Sequence, residues 1–185
     1  MIIGICGKSG SGKSSLANEL RNTYGNKVIH CDIDKIGHKS LLGEEAKKKL
    51  VKCFGKQILK DNCVDRKELG KIVFNSKKEM DKLTDITWGF MQEEIDKIIE
   101  SNTDKIILLD WQLLPKSKYF DKCDIKVLLD IPYEVRLKRA LLRDNISEKD
   151  FKLREKASYK YDKTRFNLVL ENNSKEEYER IVDLI

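Results

Sequence analysis

Gly7-Lys8-Ser9-Gly10-Ser11-Gly12-Lys13-Ser14 follows a short apolar run, Met1-Ile2-Ile3-Gly4-Ile5-Cys6, and precedes Ser15-Leu16-Ala17-Asn18-Glu19-Leu20, whose apolar residues recur at helical spacing. The order is buried strand, glycine loop, helix. The spacing G-x-x-x-x-G-K-S puts glycine where backbone amides must turn inward around phosphate oxygens, because a Cβ there would clash or forbid the required dihedrals. Lys13 brings a flexible positive charge to β/γ-phosphates, and Ser14 offers a hydroxyl to a magnesium ion. The unpaired amides opening the next helix add partial positive charge. The stretch therefore predicts a nucleoside triphosphate site, with ATP and Mg2+ expected and Lys8, Ser9, Gly10, Ser11, Gly12, Lys13, Ser14 and Ser15 in contact with the nucleotide.

With 185 residues the chain can bury a real core, and the default is one domain. Charged residues make up 37% and hydrophobic residues 40%, a polar balance that still folds. No run approaches the roughly 18 apolar residues that span a bilayer, and the first apolar run lacks the length and basic flanks of a signal peptide. These features predict a cytoplasmic protein. Cys6, Cys31, Cys53, Cys63 and Cys123 contain no C-x-x-C pair and indicate neither a disulfide framework nor a zinc site, and Cys6 and Cys31 read as small buried hydrophobes. The net charge of +6 is matched by the segment from Arg136 to Arg165 alone, which holds eleven Lys/Arg against five Asp/Glu. A basic excess concentrated in one segment suggests a lid over polyphosphate, whereas a diffuse one would suggest nucleic acid, so no nucleic-acid or membrane partner is expected.

Further along, Lys27-Val28-Ile29-His30-Cys31 reads as a second strand ending at Asp32-Ile33-Asp34. Ligands of open α/β sheets lie beyond the carboxyl ends of strands, which makes both carboxylates candidates for chemistry. Asp34 is the candidate base for an attacking hydroxyl, while Asp32 either acts through water on magnesium or caps the next helix. His30 and His38 have no ligand partners nearby in sequence and read as structural or surface residues. From Gly43 to Asn102 the pattern is helical throughout, with a capping box at Asp65-Arg66-Lys67-Glu68, a helix start at Ser76-Lys77-Lys78-Glu79, and a core-facing stripe of Trp88, Phe90, Met91, Ile95, Ile98 and Ile99.

A third strand, Lys105 to Asp110, ends in a carboxylate that would face Ser14 if the strand lay beside the first. A fourth spans Asp124 to Asp130, and Pro132 suits the first turn of a helix from Tyr133 to Arg143. On that helix Arg136, Arg139 and Arg143 share one face, where an anion would relieve their repulsion. A capped helix opens at Ser147-Glu148-Lys149-Asp150 and carries Arg154; Tyr159 and Tyr161 beyond it can stack on a base or pack on lysine stems. The fifth strand is Asn167 to Glu171, and Ser174-Lys175-Glu176-Glu177 opens the last helix with a second capping box. Alternating strands and helices after a nucleotide loop predict an α/β, three-layer P-loop NTPase fold with a five-stranded parallel sheet, a helical acceptor-binding insertion and a basic helical lid. The predicted core covers about 1–40, 103–143 and 165–185, the helical region about 41–102 and the lid about 144–164.

The sequence resembles the dephospho-CoA kinase family from residue 1 to about residue 174. Asp32-Ile33-Asp34-Lys35-Ile36 is similar to the family's D-A-D-K-I, whose second Asp is regarded as the base. Asp65 to Phe74 resembles its D-R-x-x-L-x-x-I-V-F, and Val169 to Ser174 resembles its V-I-D-N-S-G. The Arg136 to Asp144 stretch, continued by Ile146-Ser147-Glu148, is similar to its arginine helix and the start of its lid. The resemblance implies transfer of the ATP γ-phosphoryl group to the ribose 3′-hydroxyl of dephospho-CoA. It implies catalytic roles for Lys13, Asp34, Arg139 and Arg143, nucleotide contacts from Arg139, Arg143 and Arg154, and metal contacts from Ser14, Asp32 and Asp110. The acceptor half departs from the pattern. Thr87-Trp88 stands where the family has His-Pro, Asp110-Trp111-Gln112-Leu113-Leu114-Pro115-Lys116 where it has Asp-x-Pro-Leu-Leu-Phe-Glu, and Ser158 where its lid often has Gln. Asp34, Lys35, Trp88, Trp111 and Gln112 are the expected acceptor contacts, with a nucleoside or nucleoside-monophosphate kinase as one alternative and a nucleotide switch without a small acceptor as another.

Overall fold

The computed structural model describes residues 1–40, 42–73, 76–144 and 146–185, with Ser40 and Ala157 described by their backbone alone. In chain order the elements are β1 (Ile2–Gly7), α1 (Lys13–Tyr24), β2 (Val28–Asp32), α2 (Ile33–Ser40), α3 (Glu44–Phe54), β3 (Leu59–Lys60), β4 (Cys63–Val64), α4 (Arg66–Val73), α5 (Lys77–Glu100), β5 (Ile106–Asp110), β6 (Ile125–Leu129), α6 (Tyr133–Asp144), α7 (Glu148–Ala157), β7 (Leu168–Leu170) and α8 (Lys175–Val182). Contacts group them into two compact units, one of Met1–Asp32 with Asn102–Ile185 and one of Ile33–Ser101.

The first unit is built on a five-stranded sheet of order β2-β5-β1-β6-β7, with every neighbouring pair parallel. All five expected strands are present. β5 lies beside β1, with Ile5 in register with Asp110, and β2 lies on its other side, with Asp32 also in register with Asp110. Parallel strands are joined by crossovers that cover both faces, which is why these strands are apolar nearly throughout. On one face Ile3, Ile5, Leu108, Val127 and Leu129 pack with Leu16, Ala17 and Leu20 of α1 and Ile181 of α8. On the other, the segment after β5 carries buried Leu114, Tyr119 and Phe120. Gly4 admits it closely, since a Cβ there would stand 2.8 Å from both Leu114 and Cys123.

Two helices of this unit are tied to the glycine loop by charge. Arg136 of α6 is 4% exposed, and a guanidinium so buried needs a partner. Glu155 of α7 supplies it through paired hydrogen bonds of 2.8 and 3.1 Å, and also accepts from Lys8 Nζ at 2.6 Å. Arg136 Nε donates in addition to the Ile131 carbonyl at 2.8 Å. A capping box of Ser147 and Asp150 starts α7 where the sequence predicted it.

In the second unit Leu50 and Phe54 of α3, Ile58, and Leu69 and Val73 of α4 form a core, with Met80, Leu83 and Ile86 of α5 packed against it. Met91 and Ile95 of the expected α5 stripe are buried, and Gly37 of α2 approaches Met91 closely enough that a Cβ would lie 3.0 Å from its sulfur. Ser76 caps α5 as expected. The helical reading of 43–102 is corrected at one place: Leu59–Lys60 and Cys63–Val64 pair antiparallel across Asp61 and Asn62, both at positive φ. Asp and Asn tolerate that conformation, and two-residue strands carry no readable period. The box at Asp65 is also only half formed. Asp65 Oδ1 accepts from the amides of Lys67 and Glu68, but its own amide donates to the Ile58 carbonyl, so the hairpin replaces the glutamate. Phe74, the last residue of the quoted D-R-x-x-L-x-x-I-V-F stretch, lies outside the described residues.

Ile5→Ala, at a site with 0% exposure in the central strand, is expected to lower the unfolding free energy by about 2–5 kcal/mol in urea titrations. Glu155 gives a pH prediction. Its hydrogen bonds from Arg136, and secondarily from Lys8, hold its carboxyl below the usual range against the opposing effect of burial. A folded-state pKa below the unfolded value means that this stabilisation is present above the ordinary glutamate pKa and lost as pH falls through the folded one. Glu155→Gln should therefore lower the melting temperature at neutral pH and flatten its decline on acidification. A variant that tracks the native protein at every pH would show that the pair adds nothing.

Candidate active site

Between β1 and α1 the chain turns through two glycines in left-handed conformation, Gly10 at φ +79° and Gly12 at φ +91°. A Cβ on Gly10 would sit 2.5 Å from the Arg136 carbonyl, so glycine is required there for conformation and for space alike. Three successive loop carbonyls are held by side chains from distant parts of the chain. Ser9 accepts from Arg136 at 3.4 Å, Gly10 from Arg139 at 3.4 Å, and Ser11 from Asn173 Nδ2 at 3.2 Å. Carbonyl and amide of a trans peptide point opposite ways, so holding these carbonyls also orients the amides of Gly10, Ser11 and Gly12, of which that of Ser11 donates to the Lys8 carbonyl at 3.1 Å. α1 has Gly12 at its N-cap and no acidic residue in its first turn, leaving its positive end available to an anion.

The carboxylates sit at the carboxyl ends of the strands. Asp110 ends β5 beside Asp32 of β2, and in-register residues of parallel neighbours share a sheet face. Asp110 is 4% exposed and lies 4.0 Å from Lys13 Nζ, which stands at the first position of α1. Its other oxygen is 3.2 Å from His30 Nε2. Ser14 and Ser15 follow Lys13 in the first turn and are exposed. Lysine and carboxylate thus meet at the start of the helix, with Asp32 beside Asp110 on the sheet and Ser14 next in the chain. Cys6, immediately before the loop, is no nucleophile, because burial pushes its thiol pKa far up.

The three arginines of α6 have separate fates. Arg136 is locked on Glu155, and Arg139 reaches the loop, where it also donates to Asn173 Oδ1 at 2.5 Å. Arg143 pairs with Asp144 at 2.7 Å, and the same carboxylate accepts from Arg154 at 2.8 Å. Arg143 and Arg154, both read as nucleotide contacts, are thus joined across the turn between α6 and α7 in this conformation. Lys8 is engaged by Glu155. Tyr161, read as a possible base-stacking ring, accepts from the Gly7 amide at 3.1 Å and donates to the Gln112 carbonyl at 2.9 Å. Trp111 and Gln112 are half-buried, and the Trp111 amide donates to the Ile5 carbonyl. In the Ile33–Ser101 unit, Asp34 and Lys35 are exposed in the first turn of α2, and Trp88 is half-buried on α5.

Two contacts escaped the sequence reading. His30, which reads as a structural or surface residue, stands two residues before Asp32 on a strand, and that period of two puts it on the Asp32 face. Asn173 entered only through the ending V-I-D-N-S-G, which carries no sign that its amide reaches the glycine loop.

The sequence model of the dephospho-CoA kinase family matches residues 1–177. Dephospho-CoA kinase of Fusobacterium nucleatum is 33% identical over 177 residues, covering 94% of this chain and 90% of that one. Dephospho-CoA kinase of Aquifex aeolicus is 36% identical over 157 residues, covering 83% and 78%. A crystal structure of a Thermus thermophilus protein shares the fold with a TM-score of 0.82 at 24% identity, covering 100% of this chain and 95% of that one. Dephospho-CoA kinase from Campylobacter jejuni shares it with a TM-score of 0.58 at 24% identity, covering 99% and 96%. A nucleotide loop in this setting and a match along nearly the whole sequence have one conclusion: the chain belongs to the dephospho-CoA kinase family.

Proposed function

We propose that this chain transfers the γ-phosphoryl group of ATP to the ribose 3′-hydroxyl of dephospho-CoA. The observation that carries the reading is Lys13 at the start of α1, 4.0 Å from the Asp110 carboxylate, on a loop whose carbonyls are held by side chains. Phosphoryl transfer asks mainly for positioning and for stabilisation of charge on the moving group, and the glycine loop, Lys13 and Arg139 meet that demand. Asp34 takes the proton of the attacking hydroxyl. Lys8, Ser9, Gly10, Ser11, Gly12, Ser14 and Ser15 line the phosphates, and Arg143 and Arg154 join them once released from Asp144. Lys35, Trp88, Trp111 and Gln112 read the acceptor.

Asp32, Asp110 and Ser14 offer oxygen donors of the hard type that suits Mg2+, an ion commonly held by one or two carboxylates together with substrate phosphates. The donors fit the ion, which when bound neutralises charge on the β- and γ-phosphates. Among the described residues no helix is long and apolar enough to cross a membrane, and the five cysteines are free thiols, which supports a cytoplasmic setting.

The test is ATP consumption with magnesium in the presence of dephospho-CoA, nucleosides or nucleoside monophosphates, with each product weighed by mass spectrometry. One phosphate added to dephospho-CoA alone is expected. Phosphate on a nucleoside or nucleotide instead would make Trp88, Trp111 and Gln112 marks of a different acceptor, and ATP hydrolysis that no acceptor accelerates would indicate a nucleotide switch. Lys13→Ala and Asp34→Asn should each lower turnover by about 100-fold or more, with circular dichroism unchanged. Near-native turnover of Asp34→Asn would remove Asp34 from the role of base.

A further inference from the structure

Asn173 stands in the turn between β7 and α8, 162 residues beyond Ser11. Its Nδ2 donates to the Ser11 carbonyl at 3.2 Å and to Tyr178 Oη at 3.0 Å, and its Oδ1 accepts from Arg139 Nη1 at 2.5 Å. The neighbours dictate which way the amide faces. A guanidinium only donates and a backbone carbonyl only accepts, so exchanging O and N would set donor against donor and acceptor against acceptor. Both amide protons and the carbonyl oxygen are used, and Tyr178 Oη anchors the group from the α8 side.

This one side chain fixes two parts of the site. Holding the Ser11 carbonyl orients the Ser11–Gly12 peptide and with it the Gly12 amide. The fit is close, since a Cβ on Gly12 would lie 3.0 Å from Asn173 Nδ2. Holding Arg139 keeps a long, many-rotamer side chain at the loop edge, where it also donates to the Gly10 carbonyl at 3.4 Å. An arginine already in place spends no ordering entropy when the nucleotide arrives.

We propose that Asn173 is a positioning residue for phosphoryl transfer, which sets the Ser11–Gly12 peptide and the Arg139 guanidinium in one arrangement around the transferred group. The proposal rests on the reading of the chain as an ATP-dependent kinase with Arg139 in its site. It predicts that Asn173 and Arg139 act as a unit.

The test is a double-mutant cycle of Asn173→Ala and Arg139→Ala in the full chain, with Asn173→Asp alongside. The readouts are kcat and KM for ATP with dephospho-CoA and, without any acceptor, the affinity for a non-hydrolysable ATP analogue by calorimetry. Asn173→Ala is expected to reduce kcat about tenfold to a hundredfold, the scale of a small misplacement of catalytic groups. Arg139→Ala should cost much less in the Asn173→Ala background than in the native one. Asn173→Asp keeps an acceptor for Arg139 but cannot donate to Ser11, so it should retain more kcat than Asn173→Ala while binding the analogue more weakly than the native chain. A side chain that only packs would leave kcat within about twofold, or its effect and that of Arg139→Ala would multiply independently, and either result overturns the proposal. Should Asn173→Ala fail to fold, Asn173→Asp decides the matter: weaker analogue binding with Arg139→Ala costing as much as in the native chain supports the proposal, and native-like analogue binding overturns it. Failure of the native chain to phosphorylate dephospho-CoA would defeat the acceptor assignment alone, because coupling in analogue binding is measured without an acceptor.

Discussion

The glycine loop depends on the hold that three side chains keep on three adjacent carbonyls, those of Ser9, Gly10 and Ser11. A loop whose amides converge is electrostatically unfavourable without an anion, because like ends of several dipoles face one another. Each carbonyl bond offsets part of that cost and fixes one peptide plane before any phosphate is present. Two of the donors are arginines three residues apart on α6 and the third follows β7, so the loop takes its shape only after the strands on one side of β1 have assembled. Glycine at 10 and 12 is the local half of the device, and the distant donors are the other half.

Two of the three donors carry charge, and that charge has to be balanced where it is buried. Arg136 is held by Glu155, which reaches Lys8 as well, and Asp144 holds both Arg143 and Arg154. The basic segment from Arg136 to Arg165 is therefore less of a free cationic clamp than its count suggests. Its carboxylates are few, but two of them each engage two cations. A polyphosphate competing for Arg143, Arg154 and Lys8 meets those carboxylates first, whereas Arg139 faces a neutral amide. Counting charge along a sequence sees the excess and misses this pairing.

The five strands were legible because each is an apolar run ending at a carboxylate, a turn or the glycine loop, and parallel order follows from the helices between them. The hairpin at Leu59 to Val64 was not, since two residues per strand give no alternation and Asp61-Asn62 reads equally well as a loop. At the site, the glycine loop and the carboxylates at 32 and 110 could be read from strand ends. Tyr161 and Asn173 could not, because their partners lie 154 and 162 residues away and nothing local to either marks the contact. His30 falls between the two cases, since strand period gives its face and only the fold gives its neighbour, Asp110.

The same distinction explains where this chain departs from its family after β5. Of the family pattern Asp-x-Pro-Leu-Leu-Phe-Glu, it keeps Asp110, Leu113 and Leu114 and changes the rest to Gln112, Pro115 and Lys116. Asp110 faces Lys13, and Leu114 fills the space that Gly4 leaves under β1. The contacts at two of the changed positions are of different kinds, one made by the backbone and one by the side chain. Gln112 accepts the Tyr161 hydroxyl with its backbone carbonyl, and Lys116 lies over the Tyr159 ring at 5.4 Å, where a glutamate would lose the cation–π attraction. The side chain at 112 can thus change without disturbing the bond that Tyr161 makes to the Gly7 amide. Divergence at 112 is therefore compatible with an unchanged glycine loop.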